Sequence, residues 1–204
     1  AQIKLFAAQS GTGLEDLLGA FGYTAYTDFY NEQDGTVRVF LDDTSTLRLN
    51  ASGLVQYASA DGSATVSAYD ESDITDAAAL DAQLDCARLI LDAAQRAGDT
   101  DTHASLYAVE RSGEQTTLIF LQMYSGVPVL GDADFATFVF DGSALRTATI
   151  RLQKFQPTGG KRTVMPAKQA AAGASGAERG LMAAYRAQDG QYVPSRFYLK
   201  NAAE

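Results

Sequence analysis

Residues 105–111 (SLYAVER) and 116–124 (TTLIFLQMY) are two runs rich in β-branched and aromatic side chains, parted by a short stretch containing Ser112-Gly113-Glu114. So short a connection joins antiparallel strands, because a parallel pair needs a crossover of a dozen or more residues. The spacing therefore predicts a hairpin. A second follows, with 135–140 (FATFVF) and 144–155 (ALRTATIRLQKF) flanking the turn Asp141-Gly142-Ser143. Residues 181–187 and 196–200, either side of Asp189-Gly190, read as a third. Adjacent hairpins imply antiparallel sheet with helices on one face, so the fold class is α+β and not a doubly wound parallel sheet.

Upstream of these hairpins lies the clearest helix. Leu80, Leu84, Ala87, Leu91 and Ala94 recur at spacings of four and three and form one apolar stripe. Ser72 and Thr75 are candidate N-caps, Asp73 and Asp76 suit the positive helix end, and Gly98 is a natural stop. The long amphipathic helix is placed near 75–97, and a shorter one near 166–174 begins at Pro166. Before them, residues 14–21 (LEDLLGAF) read as a short helix closed by Gly22. Short strands are expected at 24–30, 36–41, 46–50, 54–58 and 64–69, broken by Asp34-Gly35, Ser52-Gly53 and Asp61-Gly62. The expected organisation is two lobes of antiparallel sheet, an N-terminal α+β lobe at 1–70 and a C-terminal α+β lobe at 71–204.

The 204 residues suffice to bury a sizeable core, and with no Trp the large core volume falls to ten Tyr and ten Phe. Net charge is −9 with only 16 scattered basic residues. Phosphate neutralisation supplies much of the affinity for nucleic acid, so that partner is not expected. One cysteine, Cys86, rules out an intramolecular disulfide. No run of 18 apolar residues spans a membrane. The chain opens on Ala1 without Met, which suggests a chain trimmed of a signal or anchor helix.

Catalytic chemistry is hard to assemble from what is present. Nucleophilic hydrolysis needs a base beside the nucleophile. The one histidine, His103, falls in a polar linker, and Cys86 sits beside the stripe of the long helix as a buried structural thiol. One His and one Cys exclude the usual zinc sets. Asp132-Ala133-Asp134 lacks the further ligands of a calcium loop. Gly11-Thr12-Gly13 has no following Lys-Ser or Lys-Thr, so it is no phosphate loop. Asp42-Asp43 and Asp99 with Asp101 are carboxylate pairs at turns, and residues 158–162 (TGGKR) form a basic tip. Asn50-Ala51-Ser52 fits a glycosylation sequon. No catalytic, cofactor-binding or metal-ligating residue is assigned, and the chain is not expected to be an enzyme.

Residues 118–124 followed by Ser125-Gly126-Val127-Pro128-Val129 resemble the strand and x-G-x-P-[IV] turn of the YycH/YycI regulators and the wider PepSY-like group. The order continues through Asp141-Gly142 and residues 145–155. It ends on Ala183-Ala184-Tyr185, Asp189-Gly190, Tyr192-Val193-Pro194 and residues 196–199. Arg196 stands where members of the family carry an aromatic residue, and Phe197 comes one later. The resemblance covers about 105–200. It implies an extracytoplasmic regulatory domain on a bacterial cell surface, anchored by an N-terminal transmembrane helix or signal that this chain does not contain. Its implied partner is a protein at the membrane, such as a sensor kinase or a related regulator. It carries over no cofactor. The residues themselves leave two alternatives. One is a cell-surface peptide- or small-ligand-binding module, using a free sheet edge or a groove lined by Tyr26, Phe29, Tyr30 and Tyr124. The other is a glycan hydrolase built on Asp42, Asp132 and Asp134.

Overall fold

The apolar period of residues 14–21 makes the first helix, α1 (Thr12–Ala20): Leu14, Leu17, Leu18 and Phe21 fall on one buried face. It closes in a Schellman motif. The Gly22 amide donates to Gly19 and the Tyr23 amide to Leu18, with Gly22 at φ 78°. These coordinates are a computed structural model describing residues 12–24, 27–32, 37–60, 65–70, 74–131, 133–159, 163–164, 166–172, 178–188 and 191–200.

Four strands follow α1 as an antiparallel meander: β1 (Phe29–Asn31), β2 (Val37–Leu41), β3 (Ser45–Asn50) and β4 (Leu54–Ser59). The long helix α2 (Asp76–Ala97) lies where the apolar stripe put it. Thr75 is its N-cap, accepting from the Ala78 amide. Gly98 ends the helix, but the left-handed residue is Asp99 at φ 47°. Gly98 serves instead as a close-approach site, since a Cβ there would stand 3.0 Å from the Leu152 side chain. Then come β5 (His103–Ser112), β6 (Gln115–Tyr124), the short β7 (Val127–Leu130), β8 (Ala136–Asp141) and β9 (Ala144–Arg151). The helix α3 (Ala167–Ala172) and the hairpin of β10 (Glu178–Gln188) and β11 (Gln191–Lys200) complete the order.

The two lobes expected from the sequence share one sheet. The last strand of the first meander pairs with the last strand of the second, β4 antiparallel to β9 over five positions from Leu54↔Arg151 to Ala58↔Thr147. The strand order is β1-β2-β3-β4-β9-β8-β6-β7-β10-β11, with β5 on the other side of β6. Both α1 and α2 lie over this sheet and touch each other, and a single buried apolar cluster runs from Leu14 to Leu152.

Register explains the core. One row of opposed residues crosses eight strands: Phe29, Phe40, Leu47, Tyr57, Ala148, Phe138, Leu118 and Val109. Opposed residues share a face, so the whole row points toward the helices. Its middle is buried, while its ends, Phe29 and Val109, are 49% and 36% exposed.

Three expectations change. Of the strand expected at 64–69, the described residues 65–69 form none. Where the β4 ladder stops short of the start of β9, Val66–Ala68 takes over by a single bridge, Ser67↔Ala144. The Leu145 amide donates to Val66 and the Ala68 amide to Ser143. The rest of that β9 edge is already occupied by β4, which leaves no room for a full strand. His103 is not in a linker: it opens β5. The fifth strand of the second meander also stops earlier than expected, at Arg151.

Ile150, fully buried opposite Val55 at the β4–β9 seam, tests whether the halves share their stability. Ile150→Ala is expected to cost about 2–5 kcal/mol by chemical denaturation and to keep a single transition. A melt in which only one meander unfolds early would contradict a shared core.

Candidate functional site

The densest polar arrangement lies at the β2–β3 turn. Asp42, Thr44 and Ser45 follow the local rule by which a short acidic side chain caps the amides two and three residues on. The Asp42 Oδ1 accepts from the Thr44 amide at 2.7 Å and the Ser45 amide at 2.5 Å, and from the Thr44 hydroxyl at 2.9 Å. The Ser45 hydroxyl lies 3.1 Å from both carboxylate oxygens. Thr65 bridges Thr44 and Ser45 at 2.7 and 2.9 Å, and Tyr23 reaches Ser45 at 2.6 Å. The buried Tyr57 hydroxyl faces the same group without closing a hydrogen bond of normal geometry. This joins the end of α1, the β2–β3 turn and the segment after β4.

The electrostatics are those of an acceptor hub. Partial burial pushes the Asp42 carboxyl upward, but the hydrogen bonds from Thr44 and Ser45 together outweigh it and hold it below the usual carboxylate range. Burial, tempered by the Ser45 hydrogen bond and reinforced by the Asp42 charge, pushes the Tyr23 phenol up to about 12. A carboxylate saturated with donors and lowered in basicity is a poor general base. The pairing of Asp42 with hydroxyls locks a turn. The sequence reading marked Asp42 only as half of a carboxylate pair, although Asp-x-Thr-Ser carried the capping signal.

The other residues singled out in the sequence are scattered. Burial pushes the half-buried Cys86 thiol up to about 11, which keeps it protonated and inert. Asp99 binds Lys154 at 2.7 Å, and its carboxyl is lowered by that hydrogen bond. Asn50 is tied into its own turn by the Ser52 amide. Asp132, Tyr26, Gly11 and residues 160–162 lie outside the described residues. No group of three or more metal-ligating side chains forms among the described residues. The aromatic groove does not assemble. Phe29 and Tyr30 stand on the β1 edge, whereas Tyr124 sits at the far end of β6 against Phe155 and Tyr185. Ser125-Gly126 makes the two-residue hairpin turn into β7, with φ 50° and 74°.

A surface feature that the sequence reading did not single out is the overhang of the core face. Among the described residues, exposed large apolar side chains stand on α2 at Leu89, on β1–β2 at Phe29, Tyr30 and Leu41, and on β5 at Leu106, Tyr107 and Val109. Leu106 and Val109 oppose the buried Phe120 and Leu118, so they belong to the helix side of the sheet, yet they stay exposed although Arg111 further along β5 meets Asp76 at the start of α2. Among the described residues β5 pairs with β6 alone, over ten residues interrupted by a bulge at Tyr107. An edge strand with apolar side chains is a surface suited to another chain. Nothing in the strand order of two local hairpins reveals which strand ends at an edge, and so the signal was not legible.

No protein-family model and no curated protein matches the chain. Among solved structures it is similar to the Bacillus megaterium YpeB C-terminal domain, with a TM-score of 0.57 and 9% identity, over 93% of this chain and 85% of that one. The likeness shows a shared fold. It does not single out YycH or YycI within the PepSY-like group. No helix among the described residues is long and apolar enough to cross a membrane.

A carboxyl lowered in the folded state stabilises above the unfolded carboxylate range, and that stabilisation is lost as pH falls through the lower folded value. Asp42→Asn is therefore expected to lower stability at neutral pH by about 1 kcal/mol, the size of a lost cap, and by less in strongly acidic buffer. Equal losses at both pH values, read by thermal melts, would contradict the hub.

Proposed function

We propose that the chain is a non-catalytic interaction domain that works outside the bacterial cytoplasm and regulates a membrane protein, such as a sensor kinase, by contact. The observation that carries this reading is the apolar overhang of β5, where Leu106, Tyr107 and Val109 stand exposed on a strand paired on one side. The fold shared with the YpeB C-terminal domain is consistent with it, and the resemblance to YycH and YycI supplies the regulatory role and the membrane anchor. The Asp42 carboxylate and the Thr44 and Ser45 hydroxyls bonded to it are committed to a turn. Protease added to intact cells is expected to remove this domain from the full-length gene product, and Leu106→Lys with Val109→Lys to alter the output of the partner kinase while the domain stays folded by circular dichroism. A domain sheltered from external protease, or a kinase output indifferent to the β5 changes, would contradict the reading.

A second reading rests on the same edge. The bulge at Tyr107 divides β5, leaving Ala108–Ser112 as a regular stretch on which an extended peptide can add a strand. Peptides rich in β-branched residues are then expected to raise the melting temperature in a dose-dependent way. No shift with any such peptide would remove this reading.

A further inference from the structure

The last hairpin is joined to the body by a shorter ladder than any other seam among the described strands. β7 and β10 pair in parallel at two positions, Tyr185↔Val129 and Arg186↔Leu130, against five between β4 and β9 and six between β6 and β8. Pro128 removes one of the four amide donors of β7. The buried apolar cluster that ends at Leu152 takes in no described side chain of β10 or β11. A chain of half-buried rings also holds the hairpin, beside the buried Ala184 of β10. Tyr124 meets Phe155 and Tyr185, and Phe155 meets Tyr192, at centroid distances of 5.5, 6.1 and 5.1 Å. The Tyr192 hydroxyl donates to Gln153 Oε1 at 2.9 Å. Residues 152–159 leading away from β9 form neither helix nor strand. They end at Gly159, which sits at φ 75° with open space where a Cβ would be.

We propose that the β10–β11 hairpin is a releasable strap: it fills the outer edge of β7 as an intramolecular strand and opens as a unit while β1–β9 stay folded. Opening separates two ladder pairs and the ring contacts made by Tyr185 and Tyr192, and no described side chain of the hairpin belongs to the main core cluster. Local units of this kind open without global unfolding when little apolar surface ties them down. The open state uncovers the edge of Val129 and Leu130 and the ring faces of Tyr124 and Phe155. The closed strap thus withholds a strand edge from other chains.

Hydrogen exchange read by peptide mass spectrometry tests this. Amides of β10 and β11 are expected to exchange at least ~10-fold faster than those of β4 and β9. In a Cys86→Ser background, Leu130→Cys with Arg186→Cys joins two residues that are direct partners in the ladder. Oxidation by glutathione disulfide is expected to slow exchange in the hairpin, and dithiothreitol to restore it. Tyr192→Phe, which deletes only the hydroxyl, is expected to speed exchange in β10 and β11 several-fold and leave β4 and β9 unchanged. Hairpin amides that exchange at the rate of β4 and β9, hairpin amides with no protection at all, or a Tyr192→Phe effect equal in both regions would overturn the strap. A cysteine pair that fails to cross-link under oxidation would contradict the parallel β7–β10 register on which it depends.

Discussion

The pairing of β4 with β9 is the contact on which the rest of the molecule depends. It joins two meanders, each preceded by a helix, into one sheet through their last strands. Because the pairing is antiparallel and in register, the apolar positions of both halves fall on one face. The two helices then share that face. Their close approach needs Gly13, where a Cβ would stand 3.1 Å from the Ala97 backbone, and is flanked by the ion pair of Asp16 with Arg96. Small residues at the seam, Ala148 on β9, and next to it, Ala136 on β8, keep the rows level beneath the helices, while Tyr57, Phe138 and Phe140 fill the volume beside them.

The same geometry explains where the surface becomes apolar. Two helices cover the middle of a wide sheet, and the rows of inward-facing side chains run on beyond them. Phe29 at one side and Leu106 with Val109 at the other are core-type residues left partly exposed. At β7, by contrast, the chain supplies its own cover through β10. The molecule thus presents the β5 edge openly, with a bulge that limits how much of it can pair, and withholds the β7 edge beneath a lightly held hairpin.

Local features were legible in the sequence because their causes are local. The stripe from Leu80 to Ala94 and the cap at Thr75 define α2, and the spacings around Gly113 and Gly142 define two hairpins. Pairings between distant segments leave no such mark. Nothing in 54–59 or 144–151 announces that they are neighbours, so the joint sheet, the bridge at Ser67 and the edge position of β5 emerge only in three dimensions. His103 read as linker because Asp99 to Thr102 is polar, yet the long β6 draws β5 back to start there. Asp42 read as half of an acidic pair because the hydroxyls of Tyr23 and Thr65 arrive from 19 residues before and 23 after it.

The measurement that bears most directly on this account is the set of interstrand backbone NOEs across the β4–β9 seam. The account predicts cross-strand contacts for Gln56 with Thr149 and for Tyr57 with Ala148, in an antiparallel pattern continuous with those inside each meander. Contacts confined to β1–β4 and to β5–β9, with none across the seam, would contradict it.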